Sequence, residues 1–373
     1  MTDEIVGERI RSKIDEWNSV EPTNELVTGY KDYQKYIGRK WSFTFLFILA
    51  AIVVVGIAMS YGSSMGFKES YSVLWHHITG DIIDPDKDGI LIELRMPRIV
   101  IGLIAGAGLA VAGVVMQSTL NNPLADPYTT GVSSGAGFGA TMAITLGSSL
   151  ALSESTTIVV YAFVFSLIPT AVIVAVSKIR GASPTMMIMS GIAVMYIFNA
   201  CTTVLMLWSN PNDMQAVYLW TVGALTHHGW ECVPVLFTAT FVGLVLMFAL
   251  SRKLNVLATG DDNANAMGLN ANNLRILNMI VVALVSAAIV SFTGMIGFVG
   301  LVAPHIVRLF IGADNRYLMP ASAAFGAFIL VAADLVGRWV IAPSVLPVGV
   351  VTSFMGGPIF LWLLMRRKGK IWG

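Results

Sequence analysis

Charge is scarce. Asp, Glu, Lys and Arg make up 12% of the 373 residues, about half of what a soluble domain carries, and this excludes an ordinary water-soluble globular protein. The formal net charge is +1, and no stretch gathers basic residues into the face that a phosphate backbone requires, so nucleic acid is excluded as a partner. Cysteine is almost missing. Cys201 and Cys232 lie at the edges of apolar runs without C-x-x-C spacing, and both read as small buried hydrophobes with no disulfide or metal role.

Chemical motifs are missing too. No G-x-x-x-x-G-K-[ST] phosphate loop occurs, so the chain does not hydrolyse ATP itself. The sequence has no H-E-x-x-H and no paired aspartates on adjacent runs, which removes the metalloprotease and aspartyl types of intramembrane hydrolase. No catalytic residue, resident metal or cofactor is expected. Asp334 is the only carboxylate well inside an apolar run, four residues before Arg338. That spacing puts opposite charges one helical turn apart, either as a self-neutralising pair or as a group serving ion transport.

Apolar sequence is abundant: 55% of residues are of the AVILMFWYC set. A bilayer core of about 30 Å needs about 20 apolar residues per helix, and ten runs meet or approach that length, at 41–62, 96–120, 128–148, 157–178, 185–208, 231–250, 274–294, 296–312, 318–342 and 347–365. The expected fold is an all-α membrane protein of about ten transmembrane helices. The first run has no small-residue cleavage site behind it and reads as a span, not a removed signal. The eighth run is short and holds Gly297, Gly300, Pro304 and His305, so neighbouring helices must shield it. Gly102, Gly106, Gly108 and Gly113 in the second run let helices approach closely and point to a dense bundle.

Lys and Arg set the orientation. With the N-terminus inside, 18 of the 23 fall on the cytoplasmic side and 5 outside, namely Lys68, Lys87, Arg95, Arg98 and Arg338. An even number of spans, with both termini cytoplasmic in a cell membrane, follows. Residues 1–40 form a charged cytoplasmic extension in which Val6, Ile10, Ile14 and Trp17 keep helical spacing, as a short amphipathic helix or a solvated tail. Residues 41–368 form the bundle and 369–373 a cytoplasmic tail. Outside it are the segments 63–95 and 209–230, with the histidine pairs His76–His77 and His227–His228, read as exposed polar positions over a metal site. Inside it, 251–273 carries an Asp-rich start and Gly268, a short helix suited to docking another protein. The 19 methionines read as packing over a ligand path.

Leu94 to Pro127 reads LRMPRIVIGLIAGAGLAVAGVVMQSTLNNPLADP, followed by GVSSGAG from Gly131. Later come GMIGFVGLVAPHIVR from Gly294, GADNR from Gly312, ADLVGR from Ala333, PVGVVT from Pro347 and GPIF from Gly357. These blocks resemble the FecCD family, the iron-siderophore and vitamin B12 type permeases of ABC importers, over about residues 41–368. The resemblance implies the type II importer permease fold, pairing with a second permease copy in a homodimer, two cytoplasmic ABC ATPase subunits and an outer substrate-binding protein. It places an ATPase-docking loop on Ala264, Ala266, Met267, Gly268 and Leu269, and binding-protein docking on Arg95, Arg98 and Arg338, which could equally anchor helices. Motif positions Gln117, Asn122, Pro123, Gly131, Gly135, Gly300, Pro304, His305 and Asp334 are structural or line the path. Trp220, Gly223, Ala224 and Leu225 match an outer family element; from the residues alone they read as an interfacial aromatic belt. Asn121, Asn315 and Val345 depart from the family pattern. The implied cargo is a metal chelate, ferric siderophore first, with cobalamin, haem and molybdate or tungstate as alternatives; an ion-coupled carrier is the reading from another class.

Overall fold

The computed structural model describes residues 24–62, 65–147, 153–226, 228–342 and 344–365. The expected amphipathic helix on Val6 to Trp17, the tail beyond 365 and His227 lie outside them. Contacts divide the chain after Phe43. In the first unit the described residues begin helix α1 (Asn24–Ser60), where Lys40 Nζ stands 4.3 Å from the Tyr36 ring centre. In the second unit the described residues are helical, with no strand.

Among the described residues seven stretches are long and apolar enough to cross a bilayer: Asp32–Ser60, Pro85–Thr119, Glu154–Arg180, Pro184–Leu207, Trp230–Ala249, Ala271–Thr293 and Asn315–Val340. Three shorter apolar helices, Val132–Leu146, Val299–Ile311 and Val348–Trp362, complete ten, and they fall in order on the ten runs read from the sequence. After α1 come α2 (Phe67–Thr79), α3 (Pro85–Gly89), a π turn (Ile90–Arg95) and α4 (Met96–Thr119). Next are α5 (Val132–Leu146), α6 (Glu154–Arg180), α7 (Pro184–Leu207), α8 (Pro211–Val222) and α9 (Val233–Ala249). The chain continues through α10 (Ser251–Leu257), α11 (Asp261–Ala266), α12 (Ala271–Thr293), α13 (Val299–Ile311), α14 (Asn315–Val340) and α15 (Val348–Met365). The short helices α2 and α8 sit in segments that carry no span.

Several long-range hydrogen bonds gather connections at two ends, in the order that alternating crossings give. At one end Arg95 meets Met59, Trp230 meets Ile92, Ala224 meets Thr293 and Gly349 meets Gly223. At the other, Arg275 meets Thr119 and Ala182, and Asn255 meets Asp314. Between them, Ile296 N donates to the Tyr128 hydroxyl at 3.3 Å, where short α13 begins inside the bundle.

Helix α4 runs through the middle, buried over most of its length. Its glycines are where backbones cross: Gly106 faces the Gly326 carbonyl of α14, and Gly113 faces the Gly300 carbonyl of α13. Pro304 has no N–H for the carbonyl four residues back, so the Gly300 oxygen is free to lie against Gly113. On α5, Gly135 and Gly139 take the Phe165 and Tyr161 carbonyls of α6, the small-xxx-small contact that membrane helices use. Short, broken α13 is held inside, with Val299, Gly300, Val302, Ala303, Pro304 and His305 all buried. A β-carbon at Gly113 has nowhere to go, whereas one at Gly137 meets nothing within 4 Å. Gly113→Ala should therefore cost about 3 kcal/mol or more, and Gly137→Ala should be neutral or stabilising by up to about 1 kcal/mol. Thermal unfolding in detergent checks the contrast.

Two expectations need correction. Trp220 is not an interfacial anchor: it is 7% exposed and packs with Ala136, Ala140, Ala162 and Val290. The turn after it explains this, since Gly223 at φ +75° and Gly294 bring α8 against the end of α12. Cys232 is buried but Cys201 is exposed, because α7 leaves most of its apolar surface uncovered within this chain.

Candidate functional site

Two clusters hold the loop residues and the arginines singled out in the sequence, one at each end of the bundle. The first is the loop from α10 to α12. Gly260 at φ +107° turns the chain into α11, and Gly268 at φ +79° turns it out again, a conformation an L side chain adopts only at about 1–2 kcal/mol. Asn270 caps α12 by accepting from the Asn273 N–H at 2.9 Å. Between these points Asp262, Asn263, Asn265, Ala266, Met267 and Gly268 are exposed, and Met267 is 68% exposed. Ala264 is fully buried and its carbonyl accepts from Leu269 N at 2.9 Å. Of the five loop residues, then, Ala264 is the inward anchor and cannot itself meet a partner, while Ala266, Met267 and Gly268 present the surface.

Arg275, 1% exposed, was visible in the sequence only as one more cytoplasmic charge. Its guanidinium pairs with Asp261 through both carboxylate oxygens and donates to the Thr119 carbonyl at 3.1 Å and the Ala182 carbonyl at 3.3 Å. One side chain thus ties the α10–α12 loop to the end of α4 and to the turn before α7. The hydrogen bond from Arg275 holds the Asp261 carboxyl below its usual range. Asn278 donates to Thr119 Oγ1 at 3.1 Å beside it.

A second tie fixes α10. Asn255 donates to Asp314 at 2.7 Å and accepts from Asn315 N at 2.8 Å, and Asn315 in turn accepts from Ser118 at 3.0 Å. Burial would raise the Asp314 carboxyl, but bonds from Arg316 and Asn255 prevail and bring it to about 2. Asn315 is therefore a buried junction between α4, α10 and α14.

At the opposite end, Asp334 lies between two guanidiniums. Arg98 Nε donates to Oδ1 at 2.7 Å, and Arg338 Nε stands 3.2 Å from Oδ2. Arg338 also donates to the Ala58 and Tyr61 carbonyls at 3.0 and 3.2 Å. The i,i+4 pair read from the sequence is present, and Arg98, 236 positions away, completes it. Arg95 is 8% exposed and donates to the Met59 carbonyl at 2.9 Å and to Ser70 Oγ at 3.4 Å. None of the three arginines stands out as a surface charge for a docking protein. Arg95 and Arg338 turn inward onto carbonyls of α1, and Arg98 joins α4 to Asp334 of α14, because backbone carbonyls at a helix end and a buried carboxylate are the acceptors within reach. Charge reversal at Arg95 should therefore lower the yield of folded protein, measured by size-exclusion profile, before it changes any docking affinity.

The remaining motif residues are packed in helix contacts. Gln117 is fully buried, with Nε2 3.4 Å from the Leu301 carbonyl. Asn122 accepts from Leu124 N at 2.9 Å and turns the chain through Pro123. Gly131 at φ +83° starts α5, and Gly135, Gly300, Pro304 and His305 are all buried. Of the histidines, His77 bonds Asp88 at 2.9 Å and His76 contacts the Ser72 carbonyl at 2.7 Å. Among the described residues no three His, Cys, Asp or Glu side chains converge as metal ligands.

The FecCD transport family matches residues 46–366. An Fe(3+)-citrate import permease of Bacillus subtilis is 35% identical over 337 residues, covering 89% of this chain and 97% of its own. A cobalamin import permease of Halobacterium salinarum is 40% identical over 276 residues, covering 74% and 73%. A solved inward-facing ABC transporter, assigned to the metal-chelate type, superposes with a TM-score of 0.77 at 27% identity, covering 87% of this chain and 99% of that one. The buried glycine crossings, the short proline-broken α13 and the loop ending at Gly268 all fall within the matched segment, and the chain is a multi-pass membrane protein of the FecCD transport family of ABC transporter permeases.

Proposed function

We propose that this chain is the membrane-spanning subunit of an importer for a metal chelate, ferric siderophore first, driven by two ATPase subunits that seat on the α10–α12 loop. The observation that carries this reading is the loop itself: α11 is anchored at Ala264 and by Arg275, while Met267 and Gly268 project away. A projection rigidly tied to three helices can transmit the movement of a partner to the bundle. The chain pairs with a second copy through apolar surface that it leaves open, including Tyr196 and Ile197 on α7 and Phe354 and Leu361 on α15. Both termini are cytoplasmic, on the side of Arg275, where Lys and Arg predominate.

Cobalamin is the second reading, favoured by the Halobacterium relative. An ion-coupled carrier is disfavoured, because Asp334 is held by Arg98 and Arg338 and is not available to a proton or sodium ion. Two measurements test the proposal. Competition for uptake between a labelled ferric siderophore and cobalamin should favour the siderophore; the reverse preference assigns the corrinoid. Gly268→Leu should leave insertion intact and separate ATP hydrolysis from uptake, and unchanged coupling would remove the loop from the mechanism.

A further inference from the structure

Helix α2 belongs to no span, and its surface divides into three sectors. Ser70 is buried and Val73, Leu74 and His77 are half-buried, facing the protein. Lys68, Ser72 and Thr79 are exposed and polar. Phe67, Tyr71, Trp75 and Ile78, at helical spacing, are 63%, 38%, 65% and 69% exposed. A soluble helix does not leave its largest apolar side chains on an outer face beside a polar one.

The helix cannot roll to hide that strip. Arg95 reaches Ser70 on its inner sector, His77 bonds Asp88 of α3 at 2.9 Å, and Lys87 bridges Glu69 at 2.7 Å and Asp84 at 3.2 Å. Its depth is fixed as well. Tyr71 donates to the Gly56 carbonyl of α1 at 3.0 Å, four residues and so about 6 Å inside the helix end at Ser60. The neighbouring face of α1 carries Ile52, Val53 and Ile57, 62%, 54% and 44% exposed, the surface that a spanning helix gives to lipid. The strip on α2 thus continues the lipid-facing surface of α1 at the depth of its last turn.

We infer that α2 is an interfacial helix that inserts Phe67, Tyr71, Trp75 and Ile78 into the leaflet at the Arg95 end of the bundle. Aromatic side chains favour this boundary, where a ring can sit in the acyl region with polar groups close to water. Lys68, Ser72 and Thr79 then face the headgroups and water. Because α2 bonds α1 through Tyr71 and the start of α4 through Arg95, the membrane surface itself holds the outer ends of these two helices in register.

The test uses the assembled transporter in lipid nanodiscs. With Cys201 and Cys232 replaced by serine, spin labels at Trp75→Cys and Ile78→Cys should be severalfold more accessible to oxygen than to a water-soluble nickel chelate, and labels at Lys68→Cys and Ser72→Cys should show the reverse. Wild-type protein in bilayers doped with a diazirine-bearing lipid should give lipid adducts within 67–79, which needs no substitution. Equal nickel access at all four positions, or adducts on α1 but none on α2, overturns the inference. So does protection of position 75 that appears only when a binding protein is added, or a short label-to-label distance between two copies, since either puts a protein on the strip in place of lipid.

Discussion

Asp334→Asn is expected to destabilise the folded chain by about 3–5 kcal/mol, the usual consequence of removing one partner from a buried ionic cluster. The carboxylate is 1% exposed, and without it Arg98 and Arg338 would be left facing each other at low dielectric. Thermal unfolding in detergent should show a loss of many degrees. A triple replacement by apolar residues of similar size, Arg98→Met, Asp334→Leu and Arg338→Met, should recover much of that loss, since such swaps are often neutral or better. Asp334→Asn also separates two mechanisms. Protein that does fold should keep its uptake per molecule if the residue is structural, and should lose it if a coupling ion binds there.

The second large effect is expected at Arg275. Arg275→Ala would strand the Thr119 and Ala182 carbonyls and leave Asp261 unpaired. Charged hydrogen bonds of this kind contribute about 1.5–3 kcal/mol each, but Asp261 has 43% of its side chain exposed and can be rehydrated, so a net cost of about 2–3 kcal/mol is expected. The functional loss should be larger than the stability loss suggests. With its tie cut, α11 would move with the ATPase without moving α4, and uptake should fall severalfold while ATP hydrolysis continues. Arg275→Lys should rescue little, because a single ammonium cannot reach a carboxylate and two carbonyls in different directions. Parallel loss of hydrolysis and uptake would instead mean that the chain simply fails to assemble.

Crossings were legible in the sequence because the bilayer imposes a length, and even the 13-residue α13 announced itself through Gly300 and Pro304. The role of each arginine was not. A charge count assigns Arg95, Arg98 and Arg338 to one side correctly as a group, yet it cannot tell a side chain that reaches outward from one that folds back onto a carbonyl of a distant helix. Arg98 meets a partner 236 residues away, and nothing local encodes that meeting. Trp220 was misread for the same reason: an aromatic near a span end is at home either in the interface or under it, and only the Gly223–Gly294 approach decides. The loop around Gly268 was easier, since Asp, Asn and Gly spacing reports backbone turns directly. Its anchor Arg275, buried by three other segments, was not.

The central claim is that an external motor drives this bundle through the α10–α12 loop. It is tested most directly by uptake of a labelled ferric siderophore into proteoliposomes carrying the permease with its ATPase and binding protein. Uptake should require ATP and the ATPase subunits and should be insensitive to collapse of proton and sodium gradients. Uptake by the chain alone, driven by an ion gradient and abolished by an ionophore, would contradict it.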